Sequence, residues 1–165
     1  MIYVVGCNHG IQQEQRPIAQ ERTRQRSHFR RAIEGIVANN RIGVICEEWD
    51  DEAGRTITQD IADSRGLRWA NINTTREDLR QMGIPLLYTK LLGVGAGQRA
   101  CWHAEREQLM LRRIRQSRRG NDNLLVVCGF DHMVPLSELL RAGGVEVEVL
   151  DYRECDWYDP GAFGQ

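Results

Sequence analysis

The chain has 165 residues, 41% of them hydrophobic and 27% charged, with 22 basic side chains against 23 acidic ones. That length suits one compact domain with a sizeable core. The net charge of −1 excludes a uniformly basic nucleic-acid binder and a polyacidic tail. The apolar content excludes a disordered chain, and no apolar run approaches the ~20 residues that cross a bilayer.

Read in chain order, short apolar runs alternate with longer amphipathic stretches. Ile2–Val5 predicts a first strand ending at Gly6, and with no basic start it does not read as a signal peptide. Phe29, Ile33, Ile36 and Val37 recur at helical spacing between Pro17 and Asn39. Ile42–Cys46 predicts a buried second strand. A helix from Asp51 to Ser64 follows, with Gly66 as its stop, and Leu67–Ile72 gives a weaker third strand. Thr75, with Asp78 three residues on, opens a short helix ending near Met82 and Gly83. After a glycine-rich stretch from Gly93 to Gly97, a strong helical pattern runs from Cys101 to Arg118. Leu124–Cys128 is the clearest strand, Pro135–Ala142 is helical, and Val145–Leu150 alternates with period two like an edge strand.

This order predicts a single-domain, Rossmann-like α/β fold over residues 1–150, with a mainly parallel sheet of about five strands, helices on both faces, and a tail from 151 to 165. The five cysteines contain no C-x-x-C pair, and Cys7, Cys46 and Cys128 lie in or beside apolar runs, where reduced thiols act as small hydrophobes. That usage points to a reducing cytoplasm.

Ligands of open parallel sheets bind outside the carboxyl ends of the strands. Two of those ends carry G-x-x-H, as Gly6 to His9 and Gly129 to His132, and another carries Glu47-Glu48. Two imidazoles and a carboxylate at one rim could hold a divalent metal with positions open for water, or act without metal as a general base. A glycine three residues before each His would permit a sharp turn off the strand.

In this arrangement the chain resembles the TraB/Tiki, erythromycin-esterase-like and ChaN superfamily: G-x-x-H near the start, a Glu after the next strand, an Arg on a later helix, and a second G-x-x-H. The matching residues are His9, Glu47 or Glu48, Arg106 and His132, with His103–Met110 similar to the group's Arg-x-x-x-Met helix. The resemblance implies a Rossmann-like core and a rim site. Tiki-like members are metal-dependent proteases, erythromycin-esterase-like members hydrolyse with His and Glu, and ChaN-like members bind haem. This chain lacks a transmembrane span, a lipoprotein signal and the long helical insertions of those relatives.

Other residues carry blander readings. Asp131 could orient a His or a metal-bound water and leans to capping the helix expected near Pro135, while Asn8 leans to the site beside His9. The stretch from Gly93 to Gly97 lacks the Lys-Ser/Thr ending of a phosphate loop and suggests a connection or lid with Tyr88 and Lys90. Arg16, Arg22, Arg24, Arg26, Arg30 and Arg31 interleave with Glu14, Glu21 and Glu34, as on a solvated helix face, which disfavours nucleic acid. Cys7 reads as packing, and His28 and His103 have no special setting.

The expected function is a small hydrolase, metal-assisted through manganese, cobalt, zinc or iron. His9, Glu47 or Glu48 and His132 would serve as ligands or bases, and Arg106 would stabilise negative charge. The substrate would be a small molecule or peptide, with no membrane partner and homo-oligomerisation left open. The alternative is a non-catalytic module that binds or senses metal, haem or a small metabolite at the same rim.

Overall fold

The computed structural model describes residues 1–12, 20–50, 54–86, 93–120, 122–155 and 158, with backbone alone for 20–22. The element order is β1 (Ile2–Cys7), α1 (His9–Gln12), α2 (Gln20–Asn39), β2 (Ile42–Glu47), α3 (Ile57–Arg65), β3 (Arg68–Asn71), α4 (Arg76–Gln81), α5 (Ala96–Ser117), β4 (Asn123–Gly129), α6 (Phe130–Ala142) and β5 (Val147–Asp151). A 3-10 turn, Tyr152–Glu154, follows. All strand pairs are parallel, in the order β3-β2-β4-β1-β5. The α/β class, the parallel sheet and the five strands are as the alternation predicts.

Residue alternation along the strands builds two cores. Tyr3, Val5, Cys7, Ile45, Leu125 and Val127 pack with Phe29, Ile33 and Val37 of α2 and with Ile57, Ile61 and Ala62 of α3. Ile2, Val4, Val44, Cys46, Leu124 and Val126 pack on the other face with Met110, Leu111 and Ile114 of α5 and with Met133, Leu136 and Leu140 of α6. Each buried Val, Leu, Ile, Met or Phe among them contributes about 1.5–3 kcal/mol by leaving water. Connections running toward β3 use the α2/α3 face, and those running toward β5 use the α5/α6 face, as one handedness of crossover requires. The chain therefore leaves β1 and β4, which are neighbours, in opposite directions, and a crevice opens above their carboxyl ends.

Several boundaries differ from the sequence expectation. Helix α6 begins at Phe130 with Pro135 inside it, so Asp131 sits in its first turn and does not cap it; Gly129 is the N-cap. Helix α5 begins at Ala96, which puts Gly97 in its first turn instead of in a loop. Helix α3 begins at Ile57, because the Thr56 side chain and Gln59 form a capping box there. The Thr75–Asp78 box and the left-handed Gly66 stop, at φ 65°, are as read from sequence. Pro17, Tyr88, Lys90 and Trp157 lie outside the described residues.

Candidate active site

Strand β2 ends in two adjacent carboxylates, and one residue of pleat sends them to opposite faces. Glu47 points to the α2/α3 side. There its carboxylate accepts from Thr56 Oγ1 (2.6 Å), Trp69 Nε1 (2.9 Å), Gln12 Nε2 (3.1 Å) and the Thr58 hydroxyl. Burial pushes the Glu47 carboxyl up, and the four hydrogen bonds offset this only in part. Glu48 continues the ladder, its N–H donating to the Val127 carbonyl at 2.8 Å, and its side chain turns to the crevice.

The Glu48 carboxylate is where the other candidates converge. His9 Nε2 lies 3.8 Å from Oε2, His132 Nε2 3.5 Å from Oε1, and Arg106 Nη2 3.2 Å from Oε1. The Gly129 N–H donates to Oε2 at 2.8 Å. Burial by itself would raise this carboxyl. The charges of His9, His132 and Arg106 and the Gly129 hydrogen bond outweigh it and hold Glu48 below the usual range, as a buried carboxylate.

Each histidine is oriented by its other nitrogen. Gln12 Nε2 is spent on Glu47, so Gln12 Oε1 accepts from His9 Nδ1 at 2.8 Å. Neutral His9 then carries its lone pair on Nε2, toward Glu48. His132 Nδ1 lies 3.0 Å from Glu107 Oε1, which likewise turns its Nε2 to Glu48. The His9 side chain is 50% exposed, whereas that of His132 is 6% exposed.

The guanidinium of Arg106 is held on three sides, by Glu48, by Thr74 Oγ1 (2.9 Å from Nε) and by Asn73 Oδ1 (3.1 Å from Nη2). Its charge is directed at Glu48. A cavity of about 610 Å³ opens here, lined by His9, Glu48, Trp49, His103, Arg106 and His132 among others. Glu47 lies outside that lining and reaches it through Gln12 and His9.

The glycines of the two G-x-x-H motifs act through space, not through turning. Neither has a positive φ. A Cβ on Gly129 would stand 2.9 Å from His9 Nε2 and 3.4 Å from Glu48 Oε2, and one on Gly6 would meet Met133 Sδ at 2.4 Å. Asn8 accepts from the Gly10 N–H at 2.8 Å and so opens α1. Burial raises the Cys7 thiol well above its ordinary value, with Cys128, Glu47 and Glu48 adding to the effect, so it is no thiolate nucleophile.

His103 belongs to the site although its sequence setting gave no sign of it. Its ring centroid lies 5.5 Å from that of His132, and burial, with the charges of His132 and Arg106, lowers its pKa. The signal was its place on α5, three residues before Arg106 and four before Glu107, which puts all three on one helical face.

The donor types suit a divalent ion, but the arrangement does not. Among the described residues no group of three or more His, Cys, Asp or Glu is placed to hold a metal. Glu48 has its countercharge in Arg106. No protein-family model, no curated protein and no solved structure matches this chain.

Proposed function

We propose that the chain is a small hydrolase whose water is activated by His9 and Glu48 at the carboxyl rim of the sheet. The observation that carries this reading is the side-chain relay Glu47–Gln12–His9, which leaves the Nε2 lone pair of His9 facing an ionised, buried carboxylate. A water about 2.8 Å from both Nε2 and Oε2 fits the 3.8 Å between them. His9 takes its proton, and Glu48 stabilises the resulting imidazolium.

Arg106 keeps Glu48 ionised. No side chain caps the first turn of α6, so its backbone N–H groups are available to negative charge developing on a carbonyl or phosphoryl oxygen. The His9 imidazolium then gives that proton to the leaving group, while His132, tethered to Glu107, stands beside the other oxygen of Glu48. The resemblance to His/Glu hydrolases of the erythromycin-esterase-like kind agrees with this order of roles. A small-molecule or peptide substrate suits the cavity.

The test is a panel of 4-nitrophenyl esters, a 4-nitrophenyl phosphate and a peptide anilide, assayed with chelated protein. Turnover that falls at least 100-fold in both His9→Ala and His132→Ala, with unchanged melting, is expected. Rates equal to wild type in either variant overturn the proposal. Turnover abolished by chelator and restored by manganese, cobalt, zinc or iron moves the chemistry to the metal-assisted form. Binding of haem or a metabolite with no turnover anywhere in the panel makes the rim a sensing site.

A further inference from the structure

The opposite, amino-terminal rim of the sheet is basic, while the chain as a whole has a net charge of −1. The loops and last helical turns that feed β2, β3, β4 and β5 carry Arg41, Arg65, Arg115, Arg118, Arg119 and Arg141, all exposed. The carboxylates there are few: Asp63 pairs with Arg55 at 2.6 Å, Asp122 lies 3.9 Å from Arg68, and Glu146 precedes β5.

Arginines in the last turn of a helix offset its dipole, and this bears on Arg65, Arg115 and Arg141 alike. It does not account for Arg41 and Arg119, which lie in loops, or for Arg118 at the end of α5. Arg41, Arg65, Arg118 and Arg119 have no carboxylate partner among the described residues.

Arg41 adds an independent sign. With φ at 49°, it is the one non-glycine residue of the described chain in the left-handed region. A long, exposed side chain there costs about 1 kcal/mol or more, and such strain clusters at functional positions.

We infer that this rim binds the phosphate backbone of a nucleic-acid duplex, without reading its sequence, through Arg41, Arg65, Arg118 and Arg119. These residues precede β2, β3 and β4, three neighbouring strands, and so span about 10 Å of the edge at about 4.8 Å per strand, enough to reach several phosphates along one duplex backbone. Guanidinium groups suit phosphate oxygens. Among the described residues the exposed large hydrophobics are Leu86 and Val134, neither of them in the rim's loops, so the described part of the rim offers no base-stacking platform for single strands and no apolar wedge for a lipid surface. The arginines of α2 differ: Arg30 pairs with Asp60 at 3.6 Å, and the sequence expectation of a solvated, ion-paired face suits that helix. The basic rim was hidden because its members are scattered from residue 41 to residue 119 and only the fold gathers them.

The test is fluorescence anisotropy of a labelled 20-base-pair DNA duplex against salt. Four phosphate contacts predict a log–log slope of about −3.6, or roughly a 100-fold loss of affinity between 50 and 200 mM salt. Replacing Arg41, Arg118 and Arg119 together by Gln should reduce the slope to about −0.9, with the same thermal melt, while Arg24→Gln on α2 should leave it unchanged. No binding at 50 mM salt, an unchanged slope in the triple variant, or preference for phosphatidylserine vesicles over duplex would each overturn the inference.

Discussion

His9 and Glu47 lie on opposite sides of Gln12 and are joined by its side chain alone: His9 Nδ1 to Gln12 Oε1 at 2.8 Å, then Gln12 Nε2 to Glu47 Oε1 at 3.1 Å. A buried carboxylate that never reaches the cavity thereby sets which nitrogen of a half-exposed histidine carries the proton. Gln12→Leu should release that choice. Nitrogen-15 NMR of the imidazole should show the Nδ1–H tautomer of His9 in the wild type and a mixture in the variant. Turnover should fall about 10- to 100-fold, the range of a positioning loss.

Glu48 makes acid stability depend on the site. Its folded pKa lies below the unfolded value of about 4.3, since the surrounding positive charges outweigh burial. Between the two values the unfolded chain binds more protons, so stability rises with pH there. This contribution is present above about pH 4.3 and is lost as pH falls through the folded pKa. Urea midpoints taken from pH 5.5 downward should fall more steeply for the wild type than for Glu48→Gln.

Glu47 has the opposite sign. Burial raises its folded pKa, so its stabilising share is complete below about pH 4.3 and is lost as pH rises through the folded value. The melting temperature of Glu47→Gln relative to wild type should therefore climb with pH from 4 upward. A constant difference would show that the Glu47 proton is held no more tightly in the folded chain than in the unfolded one.

Gly129→Ala removes no functional group, yet its methyl would stand 2.9 Å from His9 Nε2. His9 is half-exposed and can swing away, so folding should survive with a loss below about 2 kcal/mol. Hydrolysis should fall by two orders of magnitude or more. Gly6→Ala, whose methyl would meet Met133 Sδ in the core, should do the reverse and cost mainly stability.

The sheet was legible in the sequence because β1, β2 and β4 are short apolar runs, β5 alternates with period two and the long helices carry a period, while β3, Arg68–Asn71, gave the weakest signal. Topology was less so. Nothing in the runs themselves says that β4 inserts between β2 and β1, and it is this insertion that brings the ends of β1, β2 and β4 together. His9, Glu48 and His132 were readable as strand-end residues. The division of labour between Glu47 and Glu48 was not, since it depends on the phase of the pleat at the end of β2. Pro135 misled because proline usually opens a helix, whereas α6 has already made its first turn over Phe130–His132, where the motif lies. His103 was missed because it has no strand-end position; only the helical face it shares with Arg106 and Glu107 marks it.

The central claim is that Glu48 serves as the carboxylate of a water-activating centre. Its most direct test is the kcat/KM of chelated, tag-free protein on the best 4-nitrophenyl substrate of the panel, wild type beside Glu48→Gln. The account predicts a loss of at least 100-fold in a variant that is still folded at the assay temperature, although it melts below the wild type at pH 7 because Arg106 loses its buried countercharge. Equal kcat/KM in the two proteins would contradict it.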